Sequence, residues 1–67
     1  MINGAKMKAL REKTGLTTTQ LGEEVGVSQS MIAFMEGEKK TPRFEVVVRV
    51  AKRLGATVDD LIKEGDS

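Results

Sequence analysis

The sequence predicts an all-α fold, a compact bundle of five short helices, and three observations carry that expectation. Glycines fall at helix-length intervals, at Gly15, Gly26, Gly37, Gly55 and Gly65. Hydroxyl residues that cap helices stand at the opposite ends of the same segments, at Thr17, Ser28, Thr41 and Thr57. Apolar residues recur three and four apart, and no stretch alternates as a half-buried strand would.

The first helix, about residues 4–14, sets Met7 and Leu10 three apart and stops at Gly15, where a positive φ closes the last turn. The second, about 18–25, opens on Thr17-Thr18-Thr19-Gln20, which has the form of a capping box with Thr17 as N-cap and Gln20 reaching back. Leu21 and Val25 supply its apolar side. Gly22 lies inside it, at a cost of ~0.5–1 kcal/mol against alanine, and is explained if two backbones approach too closely to admit a side chain. Ser28 caps the third helix, about 29–36, whose apolar pair is Ile32 and Met35. Thr41-Pro42 opens the fourth, about 42–54, with a cap residue before a proline at the first position. Its stripe is Phe44, Val47, Ala51 and Leu54, and "VVVRV" (46–50), though β-branched, lies within that repeat. The fifth, about 58–64, is capped by Thr57, places Asp59 and Asp60 where the helix dipole favours carboxylates, and buries Val58, Leu61 and Ile62.

Sixty-seven residues make one domain, spanning 1–67, near the lower limit at which an apolar core holds a fold unaided. The chain has no cysteine and no histidine, which excludes disulfides, thiolate chemistry and imidazole ligands. No apolar run approaches the ~20 residues of a membrane span, and "MINGAKMKALREK" at the N-terminus lacks a signal peptide's apolar stretch, so a cytoplasmic protein is expected. Catalysis is not expected. Glu23-Glu24 and Asp59-Asp60 are adjacent pairs, which a helix splays about 100° apart. No phosphate-binding glycine loop or metal-ligand cluster is present, so no catalytic residue, metal, cofactor or small-molecule substrate is assigned.

Net charge is only +1, but its distribution is uneven. Gly15 to Glu38 contains no Lys or Arg and four acids, Glu23, Glu24, Glu36 and Glu38. Lys6, Lys8, Arg11 and Lys13 precede it, and Lys39, Lys40 and Arg43 follow. Within that stretch, a helix of about eight residues, a short turn at Gly26 and a second short helix fit a helix-turn-helix over about residues 17–36. Such a corner braces one helix so that the next can enter a DNA major groove.

The run from Leu10 to Ile62 resembles the Cro and phage-repressor type of helix-turn-helix domain. The resemblance rests on Arg11, Gly15-Leu16, Leu21-Gly22, Val25-Gly26-Val27-Ser28, Ile32, Glu36, Pro42 and the closing "LGATVDDLI", in order and at the family's spacing. It covers roughly residues 4 to 63 and implies a lambda-repressor-like fold and sequence-specific binding of double-stranded DNA. Three positions depart from the pattern. Thr18 stands where the family usually carries Gln, Gly37 is adjacent to Glu36 instead of two residues on, and Phe34 replaces a polar residue.

By that resemblance Ser28, Gln29, Ser30 and Phe34 face the groove. Gln29 can pair bidentately with adenine, a contact worth about 1–3 kcal/mol of discrimination. Ser30 donates or accepts without selectivity, Phe34 can cover a thymine methyl, and Ala33 is small enough to permit close approach. No Arg in this helix can read guanine, so readout leans towards A·T. Phosphates would be met by backbone N–H groups at Thr18, Thr19, Arg43 and Phe44, and by the charges of Lys39, Lys40 and Arg43. Arg49, Lys52, Arg53 and Lys63 are expected to be solvated. The resemblance also implies a structural ion pair between Arg11 and Glu36.

The expected function is a transcriptional regulator, a repressor by preference, acting as a homodimer on a palindromic or pseudo-palindromic operator. Its seam could involve Leu61, Ile62 or Val46. The alternative is a module that has kept the fold but binds a protein through a Met31/Phe34 patch.

Overall fold

Most helices in this chain begin where a side chain takes the place of a missing carbonyl. The computed structural model describes residues 2–40 and 42–62, and in them five helices follow one another: α1 (Gly4–Thr14), α2 (Thr18–Val25), α3 (Gln29–Glu36), α4 (Phe44–Leu54) and α5 (Val58–Leu61). Asn3 caps α1, its Oδ1 accepting from the Lys6 amide at 3.1 Å. Thr17 and Gln20 form the reciprocal box on α2, with bonds of 3.0 and 2.9 Å. Ser28 Oγ accepts from the Met31 amide at 3.0 Å. A second box joins Thr57 and Asp60 at the start of α5. Each contact satisfies an amide that the helix itself leaves open.

α4 departs from expectation. Arg43 is its N-cap, extended at φ −63 and ψ 150, and contributes no side-chain cap bond. The helix therefore starts at Phe44, two residues later than the Thr41-Pro42 signal implies. Thr41 lies outside the described residues.

Three stops are as expected, since Gly15, Gly26 and Gly55 have φ of 83, 82 and 70. Gly37 does not, having φ −83. The left-handed position falls one residue on, at Glu38 with φ 59. An L-residue there is strained, and a side-chain contact offsets the strain. Glu38 Oε2 accepts from the Gly4 amide at 2.9 Å, at the positive end of α1. Gly65 lies outside the described residues.

The apolar faces converge on one core. Ile2, Met7, Leu21, Ile32, Met35, Val50 and Leu61 are fully buried, with Val25, Val47, Ala51 and Leu54 around them. Phe44 does not join them, because it is 69% exposed. Phe44 is the first residue of α4, so the 3-4-3 spacing that assigned it to the core places it at the helix end, where its side chain stays in solvent. Val50 fills the interior instead. Leu61 is also fully buried and so cannot form an exposed seam, whereas Ile62 and Val46 remain partly exposed against the core.

α5 ends at Leu61, short of the expected 64. Ile62 turns extended, with ψ 128, and pairs antiparallel with Ile2, while the Asn3 amide donates to the Leu61 carbonyl at 2.6 Å. The residues after Ile62 lie outside the described set, Lys63 among them. Among the described residues no helix is long and apolar enough to cross a membrane.

Candidate nucleic-acid interface

The presentation of α3 begins with its inner face. Ile32 and Met35 have no exposed surface, so the helix can rest on the bundle only by that side. Gln29, Ser30, Ala33 and Phe34 consequently lie on the outside, all of them exposed, with Met31 half-buried at the margin. The four exposed positions are spaced 1, 3 and 1, which is one side of a helix.

Two glycines fix the angle at which α3 is held. A Cβ at Gly22 would stand 2.7 Å from the Val27 carbonyl oxygen and 3.2 Å from Ser28 backbone atoms, so the α2 backbone packs directly on the turn. This is the close approach that its mid-helix position implied. A Cβ at Gly4 would stand 2.1 Å from the Glu36 carbonyl oxygen, which presses the start of α1 against the end of α3.

Arg11 and Glu36 complete the clamp. Arg11 Nε donates to Glu36 Oε2 at 2.6 Å and Nη2 to Oε1 at 3.1 Å, a forked pair whose side chains are 10% and 8% exposed. The remaining arm, Nη1, donates to the Leu16 carbonyl at 2.7 Å. The hydrogen bonds to Glu36 raise the Arg11 pKa more than burial lowers it, with the carboxylate's charge adding to the rise. One guanidinium thus ties α1, the approach to α2 and the end of α3. Among the described residues no buried side-chain polar atom lacks a hydrogen-bond partner.

Sequence reasoning missed a second brace. Arg49 and Arg53 on α4 are not merely solvated. Arg49 Nη1 reaches the Val25 carbonyl at the end of α2 at 3.5 Å, and Arg53 hydrogen-bonds Glu24. Both join α4 to α2 behind the corner. A cation one helix away from an open C-terminal carbonyl leaves no local trace in a sequence; only the i, i+4 spacing of the two arginines hints at a shared face.

On the outer side, the Gln29 Nε2 donates to Thr18 Oγ1 at 3.1 Å. Thr18 therefore holds the Gln29 side chain in place, leaving Oε1 and the second N–H of Gln29 for another partner. That is the donor–acceptor pair complementary to adenine N6 and N7. Ser28 is exposed, and its hydroxyl oxygen accepts the cap bond, which leaves the hydroxyl proton and one lone pair for a base contact.

The flanks carry the charge. Lys39, Lys40 and Arg43 are exposed on the α3–α4 connection, and the Lys40 ammonium sits 5.3 Å from the centroid of the Phe34 ring. The capping box of α2 uses the Gln20 amide and leaves those of Thr18 and Thr19 outside it. Because α4 starts at Phe44, its first helical amides are those of Phe44 and Glu45, one residue later than expected. Among the described residues no cluster of carboxylates is placed to hold a metal.

Comparison with known proteins agrees with this geometry. A family model of the helix-turn-helix domain matches residues 4–64. The chain is 33% identical over 64 residues to the immunity repressor protein of Bacillus phage phi105, covering 96% of this chain and 44% of that protein. It spans less than half of that relative. It is 30% identical over 56 residues to an uncharacterized HTH-type transcriptional regulator of Archaeoglobus fulgidus, covering 84% of this chain and 80% of the other. Among solved structures it is similar to the P22 c2 repressor in complex with a synthetic operator, with TM-score 0.88, 30% identity and coverage of 94% and 96%. The N-terminal DNA-binding domain of SinR from Bacillus subtilis aligns with TM-score 0.82, 25% identity and coverage of 96% and 94%.

Proposed function

The chain belongs to the helix-turn-helix domain family, and on that premise we propose that it is a sequence-specific DNA-binding regulator, a repressor, that inserts α3 into the major groove. The observation that carries the reading is the strip Gln29-Ser30-Ala33-Phe34, exposed on a helix whose other side is fully buried and which is clamped at both ends. Gln29 reads adenine with its side chain held by Thr18. Ser30 and Ala33 fit the groove without strong preference, and Ser28, with part of its hydroxyl committed to the cap, makes a weak contact beside them. Thr18, Thr19, Lys39, Lys40 and Arg43 position the domain on phosphates on either side of the reading helix.

Residues 1–67 serve as one DNA-binding unit. With net charge +1 and few phosphate contacts, a single copy binds weakly. Two copies on half-sites about 34 Å apart give a usable affinity, which requires a homodimer on a palindromic or pseudo-palindromic operator. The seam draws on the partly exposed Ile62 and Val46 and not on Leu61. The cytoplasm is the compartment where such a protein meets its DNA. The protein-partner reading through Met31 and Phe34 is not favoured, since Met31 is half-buried against the core and the patch reduces to one ring.

Selection from a duplex library with a random core of about two helical turns tests the proposal. The expected product is a symmetric site whose affinity falls with salt at a slope of about −0.9 per phosphate neutralised. Gln29→Ala should relax the preference at one adenine per half-site, and Thr18→Ala should weaken the same preference less. A protein that retains no duplex, or binds with no salt dependence, ends the reading.

A further inference from the structure

Phe34 is an odd residue on the exposed strip. Its neighbours there are polar or small, the core next to it is already complete with Ile32 and Met35, and yet the ring keeps 38% of its surface in water. Nothing in the packing of α3 requires it. Its surroundings are ordered nonetheless. The Lys39 amide donates to the Phe34 carbonyl at 2.9 Å, which folds the connection back along the helix and brings Lys40 over the ring at 5.3 Å. An ammonium over an aromatic face at this distance is attracted by the ring quadrupole. Lys40 thereby covers part of the Phe34 ring, and the surface that remains exposed is left for whatever α3 meets.

We propose that Phe34, with Lys40 seated on it, reads the C5-methyl group of a pyrimidine in the major groove, so that thymine and 5-methylcytosine are both bound in preference to uracil and cytosine. The inference rests on the DNA-binding reading above and extends it to a modified base. The C5-methyl is the one apolar group that a base pair presents in that groove. A phenyl ring makes no hydrogen bond, so it cannot distinguish the O4 of thymine from the N4 amino group of 5-methylcytosine. It responds only to the methyl. The gain is that of removing one methyl from water, about fourfold per half-site. Lys40 has two consequences: it holds the ring from one side, and it keeps a positive charge beside the ring that meets the base.

The measurement is a methyl cycle on the selected duplex, read by fluorescence anisotropy. Each thymine is replaced singly by deoxyuridine. At the sensitive position, T·A is also replaced by C·G and by 5-methyl-C·G. The expected result is one position per half-site where loss of the methyl weakens binding about fourfold, and where 5-methylcytosine exceeds cytosine by the same factor. In Phe34→Ala both increments vanish while the duplex is still bound. In Lys40→Ala the increment shrinks and the salt slope drops by about 1. The changes made on the DNA need no protein variant, so a misfolded mutant cannot obscure them. Equal binding of thymine and deoxyuridine at every position overturns the inference and leaves the DNA-binding reading intact, as does a methyl increment that survives in Phe34→Ala. Failure to select any duplex overturns the DNA-binding reading itself.

Discussion

Removing the Arg11 guanidinium should cost this domain most of its stability. A chain of 67 residues has about 3–10 kcal/mol of unfolding free energy in total. Arg11→Ala leaves the Glu36 carboxylate, 8% exposed, without its two donors at 2.6 and 3.1 Å, and takes a third bond from the Leu16 carbonyl at 2.7 Å. Orphaning one partner of a buried pair typically costs about 3–5 kcal/mol. For a domain of this size each kcal/mol moves the melting midpoint about 4–8 °C, so the drop should be on the order of 20 °C. Circular dichroism melts measure it. The double variant Arg11→Met/Glu36→Met should be more stable than either single one, because it buries no unpaired charge. A midpoint for Arg11→Ala within a few degrees of the parent would refute the reasoning, since the pair would then be no more than a surface contact.

Three further outcomes are expected. Gly22→Ala forces a Cβ to 2.7 Å from the Val27 carbonyl, so it should lower the urea midpoint and weaken duplex binding together; an unchanged midpoint would mean the corner has room to spare. At Glu38, φ 59 favours glycine while the bond to the Gly4 amide favours the carboxylate, so Glu38→Gly should lie near the parent and Glu38→Ala about 1 kcal/mol below Glu38→Gly in urea titrations, an order that reverses only if the strain is absent. Asp60 accepts bonds from the backbone and hydroxyl of Thr57, which hold its pKa below the ordinary 3.8. A carboxyl depressed in the folded state stabilises above its unfolded pKa and loses that contribution as pH falls through the folded value. The Asp60 share of acid destabilisation should therefore lie below about pH 3.8 and be absent from Asp60→Asn, as acid titration of the two proteins would show.

The first three helices were legible to the residue, and the reason is local. Their caps, Thr17 with Gln20 and Ser28, and their stops, Gly15 and Gly26, are written within a few residues of the ends they define. What misled was non-local. Ile62 looks like the next apolar turn of α5, but its partner is Ile2, at the other end of the chain, and an extended pairing ends the helix. Phe44 satisfies the apolar period of α4 yet stands at the helix end, in solvent. Gly37 reads as a stop, but the turn is completed by Glu38, whose carboxylate reaches α1. For the interface, the pattern indicated which residues of α3 face outward. It could not show that Thr18 holds Gln29 or that Lys40 covers part of Phe34, since both depend on where separate elements come to rest.

The division of labour along α3 bears on how such a protein changes over generations. Gln29, Ser30, Ala33 and Phe34 contribute nothing to the buried interior, while Ile32, Met35 and Glu36 are committed to it. Substitutions at the outer four can therefore accumulate with little penalty to folding. A lineage built on this scaffold is free to drift from one target to another while its architecture stays constant.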